Sequence, residues 1–387
     1  MAQHRLEQLR AVDATVLRAI VQQDQRSPTF EITDWTVDQL SSEGIANPEG
    51  LFRLSGHGRT GQATRPWSVV LKILHKPDED QHPRHLTYWK RELLAAQSQL
   101  LERLPGPIAA PRIYNAVEYD DSGWLWMEHI AGNAIHPQTL AQYTFAAREL
   151  GRFHGTYLTG ALLPQYPWLC TEHCRWWLAW LESYKPESAW ENPFVQGAFS
   201  RIARARVERL WAEKERFLAV LTQVPQVLSH FDYQRRNLFI RVGAAGQDEV
   251  VAIDWSAVGQ GALGGDLNNL IGTSAVRFDV EPDDLAELEA GVIDAYAAGL
   301  GDAGWRGDAR LVRLGYTAWL ALWYGAVGPI MTAVWTANAT SGIVVQPLGR
   351  EPEALAAGWA KLCDFALDRG DEARLLMDRL GLGSIRH

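Results

Sequence analysis

Cysteine is scarce in this chain: Cys170, Cys174 and Cys363 are the only three in 387 residues. An odd, low count speaks against a disulfide framework and fits a reducing cytoplasm. Positive charge is not in excess either, because the formal net charge is −9. Broad nucleic-acid binding and docking on anionic lipid both need clustered cations, so neither partner is expected. No run of eighteen apolar residues occurs, and nothing is expected to span a membrane. Residues 1–25 are amphipathic and charged, without the apolar centre of a signal peptide. There is no internal repeat and no low-complexity tract. The pattern Gly-x-x-x-x-Gly-Lys-Ser/Thr is missing, so a Walker-type phosphate loop is not supported. No Ala-Pro-Glu follows Asp254, which makes a protein substrate a poor fit.

What is present is ordinary globular material, 47% hydrophobic and 21% charged. The length suits two domains or one large bilobal unit. Leu6, Leu9, Val12, Val16, Leu17 and Ile20 recur at helical spacing and predict a helix over about 4–24. Residues 30–40 alternate as a strand, and 51–54 form a second. Gly56-His57-Gly58 with Gly61 reads as a glycine-rich turn. Residues 67–74 make the strongest strand signal. A helix over 85–102 and a hairpin of 112–118 with 123–129 complete a small α+β lobe. Beyond it, helices are expected over 139–159, 172–185, 195–223, 283–299, 307–326 and 352–381. Short strands near 238–242 and 250–253 interrupt them. The boundary between an N-terminal lobe (1–130) and a helical lobe (131–387) falls at a hinge over Glu128–Gly132.

The chemistry concentrates between His230 and Asp266. Asp232 and Asn237 stand five apart, leading into an apolar strand, and Asp254 ends the next apolar strand. If the two strands pair, Asn237 and Asp254 meet at one sheet end. Hard oxygens clustered there suit Mg2+, which takes few protein ligands and keeps positions for phosphate oxygens. Asp232 beside it is free to orient a hydroxyl and accept its proton. Phosphoryl transfer needs mainly positioning and charge neutralisation, so this set suffices. Taken singly, each residue reads as an ordinary turn former. As an ordered set they do not.

The pattern His230-x-Asp232-x4-Asn237, then Ile253-Asp254-Trp255, then Gly265-Asp266-Leu267 resembles the aminoglycoside phosphotransferase and choline kinase superfamily. These are small-molecule relatives of protein kinases. The resemblance implies a protein-kinase-like bilobal α+β fold, ATP or another nucleoside triphosphate with Mg2+ as cofactors, and a small hydroxyl-bearing acceptor. It implies Asp232 as catalytic base and Asn237 and Asp254 as metal ligands. His230 would brace the loop, and Asp266 would anchor a helical region. The departures are Phe231, where many members carry glycine or another small residue, and the added charge of Arg235-Arg236.

The first lobe agrees. Lys72 sits inside an apolar strand, where an ammonium must be paired or meet a charged ligand. Glu92 on the following helix is its natural partner, and the family's equivalent lysine meets nucleotide phosphates. Gly56 and Gly58 are candidates for a nucleotide lid, by position rather than by motif. The backbone of Glu128 and Ile130 is expected to hold adenine. Cys170, His173 and Cys174 are too loosely spaced for a metal site. The seventeen tryptophans, with Glu172, Glu182, Glu187 and Glu191 among five of them, read either as packing or as a wall for a sugar ring or cationic amine. The acceptor stays open between an antibiotic of the aminoglycoside kind, a sugar, a choline-like amino alcohol and a hydroxylated amino acid. A catalytically silent nucleotide binder and a tryptophan-based sugar-binding module are the readings from other classes.

Overall fold

The structure is a computed structural model and describes residues 14–40, 50–79, 81–130, 139–184, 186–243, 246–339 and 348–384. The N-terminal helix is described as α1 (Ala14–Asp24); residues 4–13 of the expected helix lie outside the described residues. Next come β1 (Glu31–Gln39), β2 (Leu51–Thr60), β3 (Ala63–His75), α2 (Arg91–Gln97), β4 (Ile108–Ala109), β5 (Ile113–Glu118) and β6 (Ser122–Glu128). Five of these strands form one antiparallel sheet in the order β1-β2-β3-β6-β5.

Strand β3 is central because both its faces are apolar. Trp67, Val69, Leu71 and Ile73 pack with Leu17, Ile20 and Val21 of α1. Val70 packs on the opposite face with Leu93 of α2, Leu125 and Met127. The period of two puts Lys72 on that second face, towards α2.

After β6 the chain turns helical. The elements are α3 (Leu140–Thr159), α4 (His173–Glu182), α5 (Arg201–Ala212), α6 (Lys214–Gln223), β7 (Gln226–Ser229), β8 (Leu238–Val242), β9 (Asp248–Ala252), β10 (Gly259–Ala262), α7 (Leu285–Asp302), α8 (Ala309–Leu320), α9 (Gly328–Ala339) and α10 (Pro352–Leu380). β8 and β9 pair antiparallel, and β4 joins β9 in parallel. β7 pairs with β10. Two wide π-type turns, Asn269–Thr273 and Ala321–Gly325, interrupt the helical regularity. Of the expected hinge, Ala131 and Gly132 lie outside the described residues.

Two expectations are corrected. The helix expected over 85–102 is only Arg91–Gln97, with a 3-10 turn at Leu101–Arg103. The carbonyls of Pro83 and Leu86 are taken by the Arg91 guanidinium instead of by helical N–H groups, and that of His85 is shared between Arg91 and the Tyr88 N–H in a tight turn. Second, Gly56 and Gly58 are not in a turn. They are interior residues of β2, and the hairpin turns at Gly61.

Residues Ala309–Thr336 are long and apolar enough to cross a bilayer by length and composition, contrary to the sequence reading. The apolar window is 72% buried inside the protein, as a core helix is.

Candidate active site

The two ends of the sequence reading meet at Lys72. Its Nζ lies 2.6 Å from Glu92 Oε2 and 2.8 Å from Asp254 Oδ1. Strand β3 supplies the lysine, α2 the glutamate, and the turn after β9 the aspartate. Asp254 holds the left-handed conformation, φ 62°, which turns the chain out of the strand. Glu92 also accepts from the Trp255 N–H, at 3.1 Å, so one buried carboxylate ties the lysine to the Asp254 turn.

Helix α2 is held in place by Arg91, which is fully buried without a carboxylate. Its guanidinium donates to the carbonyls of Trp168, Leu86 and Ser256, each at 2.9 Å, and to those of Pro83 and His85. Neutral acceptors replace the water that a buried cation loses.

The loop from His230 to Asn237 links β7 to β8. Asp266 organises its start. Its carboxylate accepts the N–H of His230 and of Phe231, both at 2.9 Å, and lies 3.5 Å from His154 Nε2. His154 in turn meets Tyr296 at 2.8 Å. The His230 ring bridges the loop to β9: Nε2 donates to the Ile253 carbonyl at 3.0 Å, and Nδ1 accepts from the Asp232 N–H at 3.2 Å. Burial keeps this imidazole neutral, with its pKa lowered. Asp266 thus anchors the loop backbone itself.

Two amides steer Asp232. Gln234 Nε2 donates to Oδ1 at 2.7 Å and Asn237 Nδ2 donates to Oδ2 at 2.7 Å. Burial, and then the charge of Asp254, push the Asp232 carboxyl up to about 7. Asp254 goes the other way. Burial opposes its ionisation, but the Lys72 ammonium outweighs that and holds it down at about 2. The two carboxylates therefore differ in basicity although the charge of one acts on the other. Lys72 stays protonated: burial disfavours its charge, and Asp254 and Glu92 more than compensate.

This donor set fits a divalent cation. Two carboxylates, Glu92 and Asp254, hold the Lys72 ammonium, and Asp232 stands near enough to Asp254 to feel its charge. Asn237 spends its amide nitrogen on Asp232, so Oδ1 is the atom with which it could hold a cation. Among the described residues no three His, Cys, Asp or Glu side chains converge on a metal site. A cation here would complete its shell with phosphate oxygens and water, the habit of Mg2+.

The register of the sheet removes Gly56 and Gly58 from this site. Lys72 faces Leu51, whereas Gly56 faces Trp67 and Gly58 faces Arg65. At about 3.3 Å per residue these lie about 16 and 23 Å along the strand from Lys72. Packing explains the missing side chains: a Cβ on Gly56 would lie 2.1 Å from the Asp34 carbonyl, and one on Gly58 2.2 Å from the Phe30 ring. Glu128 ends β6, with its carboxylate on Arg112 (3.3 Å) and Arg241 (3.2 Å). Ile130 follows it in irregular chain.

Of the two readings of the tryptophan segment, packing or a wall with the glutamates, the structure gives the acidic side chains to solvent and to basic partners. Glu182 pairs with Lys214 at 3.0 Å and Glu172 stands 3.6 Å from His85, both in solvent. Glu187 and Glu191 are exposed. The tryptophans do assemble: Trp180, Trp177 and Trp323 stack in sequence, Trp323 continues to Trp319, and Trp319 stacks on Phe231 beside Asp232.

Sequence reasoning missed Arg91, His154 and Tyr324. Arg91 stood next to Glu92 in an otherwise helical pattern, where a buried arginine leaves no periodic signal. Tyr324 is on one π-type turn, and its phenol meets Thr273 Oγ1 of the other at 3.1 Å. Gly272 makes room, since a Cβ there would lie 2.0 Å from the Tyr324 ring. Such turns are frequent at functional sites.

The model of the phosphotransferase enzyme family (APH) matches residues 59–310. No curated protein sequence matches the chain. Among solved structures, the amicoumacin kinase hAmiN, in complex with AMP-PNP, Ca2+ and Ami, has 13% identity and a TM-score of 0.51, over 94% of this chain and 96% of that one. A choline kinase from Cryptosporidium parvum has 14% identity and a TM-score of 0.48, over 95% and 97%. An aminoglycoside phosphotransferase from Alicyclobacillus acidocaldarius has 14% identity and a TM-score of 0.47, over 90% and 93%. At 13% identity the likeness to hAmiN is one of fold, a protein-kinase-like α+β architecture.

Proposed function

We propose, since this chain belongs to the phosphotransferase enzyme family, that it moves the γ-phosphate of ATP, or of another nucleoside triphosphate, to a hydroxyl of a small molecule with Mg2+. One observation carries the reading: Lys72 and Asp254, 182 residues apart, meet at 2.8 Å with Asp232 and Asn237 beside them. An ammonium, two carboxylates of unlike basicity and an amide oxygen are what phosphoryl transfer requires.

In this reading the nucleotide lies between the sheet-rich part, up to about residue 130, and the helical part. Lys72, held by Glu92, neutralises phosphate charge. Asp254 and Asn237 would hold Mg2+, which supplies charge neutralisation at the phosphate oxygens when bound. Asp232 aligns the acceptor hydroxyl and takes its proton, with Gln234 and Asn237 fixing the carboxylate. The backbone at Glu128 and Ile130 is the proposed adenine contact. The three cysteines are free and buried, which supports a reducing, cytoplasmic setting.

The test is Mg2+-dependent nucleotide consumption by the purified chain across a panel of hydroxylated acceptors. Asp254→Ala should abolish Mg2+-dependent nucleotide binding. If the native chain neither binds nor consumes a nucleoside triphosphate with Mg2+, the reading is wrong. Binding without any turnover would identify a silent nucleotide binder.

A further inference from the structure

A row of aromatic rings leads away from Asp232. Phe231, next to Asp232 in the chain, stacks on Trp319 at 5.3 Å. Trp319 lies 6.4 Å from Trp323, Trp323 4.5 Å from Trp177, and Trp177 5.2 Å from Trp180. Tyr184 ends the row, T-shaped against Trp180 at 5.0 Å. His173 closes the inner end against Phe231, Trp319 and Trp323. The row is buried beside Asp232, where Phe231 and Trp319 are each 4% exposed. It becomes half-buried at Trp323, Trp177 and Trp180 and exposed at Tyr184. Helix α4 seats Cys174, Leu178 and Leu181 in the core and leaves Trp177 and Trp180 only half-covered. Contiguous apolar surface of this kind marks a binding groove.

Where the row ends, Tyr184 also lines a cavity of about 570 Å³, together with Ala189 and with Ile330, Ala333 and Val334 of α9. That volume is in the range of a small-molecule site. Its polar lining is already engaged. The Ser188 hydroxyl donates to the Tyr184 carbonyl at 3.4 Å, and Asn192 Oδ1 accepts from the N–H of Phe194 and of Val195. None of the described residues that line it is charged. Nor do the rings invite a cation. Trp177 and Trp323 lie 11° from parallel, and Phe231 and Trp319 19°. Faces turned to one another are closed to an ammonium, and the edges that remain carry the positive part of the ring quadrupole. The wall therefore suits apolar or aromatic surface.

We propose that the acceptor is an uncharged molecule with an extended apolar body, aromatic or aliphatic, that carries the reacting hydroxyl at one end. The hydroxyl meets Asp232, the body lies along the row, and the far end enters the cavity at Tyr184. Amino alcohols and aminoglycosides are then poor acceptors. Affinity follows the apolar area removed from water, about three- to fourfold per buried methylene. In the transfer the hydroxyl oxygen bonds to the γ-phosphorus, the bond from that phosphorus to the bridging oxygen breaks, and the nucleoside diphosphate leaves. The hydroxyl proton passes to Asp232. This proposal rests on the phosphotransferase reading above.

The experiment uses the full chain with Mg2+ and ATP. Phenyloctanol and phenylpropanol are the long and short apolar acceptors, glycerol the polar one, and choline and kanamycin the cations. Phenyloctanol should exceed phenylpropanol in kcat/KM by about tenfold or more, and glycerol, choline and kanamycin by more still. Ala333→Leu and Ala333→Trp fill the cavity in steps. They should raise KM for phenyloctanol progressively, by about tenfold for the tryptophan form, and leave that for phenylpropanol, which does not reach the cavity. A general loss of structure would raise both, and ADP binding and melting report that each variant is folded. N-phenylnaphthylamine, a neutral fluorophore, reads the groove without turnover: phenyloctanol should displace it and kanamycin should not. Equal or better use of glycerol, choline or kanamycin overturns the proposal. So does a preference for phenyloctanol that survives both Ala333 variants, or a fluorophore that kanamycin displaces as well as phenyloctanol. Mg2+-dependent ATP hydrolysis with no phenyloctanol used overturns it while the phosphotransferase reading stands. Absence of Mg2+-dependent nucleotide binding overturns both.

Discussion

Gly261 leaves the space that the Phe231 ring fills. A Cβ on Gly261 would lie 2.7 Å from that ring, and Phe231 itself is left-handed at φ 61°. The ring is seated against His173 at 4.5 Å and stacked on Trp319 at 5.3 Å. A bulky residue therefore occupies a backbone conformation that suits glycine, immediately before Asp232, and packing together with the Asp266 carboxylate holds it there.

This pair makes an inverted prediction. Phe231→Ala and Phe231→Gly both lose the ring, at about 3–5 kcal/mol. The glycine form is nevertheless the more stable of the two by about 1 kcal/mol, because it alone adopts positive φ without cost. Urea unfolding midpoints decide it. An alanine form as stable as the glycine form would mean that position 231 carries no backbone strain. Gly261→Ala should cost about 1–3 kcal/mol by overpacking.

Asp232→Asn should lower phosphate transfer by about 10²–10⁴-fold while nucleotide binding persists. Near-native transfer would remove Asp232 from the role of base. The same substitution should change stability with pH. The folded-state pKa of Asp232 is raised to about 7 from 3.8, so the folded chain binds a proton that the unfolded chain has released. Stability from this group is therefore lost as pH rises from about 4 through 7. Without nucleotide, Asp232→Asn should melt above the native chain at pH 8 by a few degrees. The difference should vanish near pH 4.

Lys72→Met leaves Glu92 buried and unpaired. Its side chain is only 4% exposed, and loss of one partner of a buried pair costs about 3–5 kcal/mol. Adding Glu92→Gln should recover much of that loss. The Lys72→Met deficit should also grow from pH 5 to pH 8, since burial already raises the Glu92 pKa and a protonated Glu92 needs no lysine. Chemical denaturation of both variants at the two pH values checks the order.

Arg91→Lys keeps the charge and loses the fork. One ammonium cannot reach the five carbonyls that Arg91 serves. Each carbonyl left buried without a donor costs about 1–3 kcal/mol. We expect a strongly destabilised protein whose remaining folded fraction has weakened nucleotide affinity, because α2 carries Glu92. Unchanged melting and unchanged affinity would show that α2 does not depend on Arg91.

The sequence by itself determined which candidate residues stand in which order along the chain. Strand periodicity placed Lys72 on a defined face, and the spacing of Asp232, Asn237 and Asp254 is local, spanning two strands that pair with each other. Local patterns of that kind survive folding because the period of a strand and the short link between β8 and β9 leave few alternatives. The tertiary structure decided what depends on distant segments. The register of β2 on β3 moved Gly56 and Gly58 away from Lys72, since one glycine-rich stretch can serve as a turn or as a close-packed strand. Arg91 was decided by carbonyls from three separate stretches of chain, and so it broke the expected helix. Asp266 was decided by the N–H groups of His230 and Phe231, 36 and 35 residues earlier.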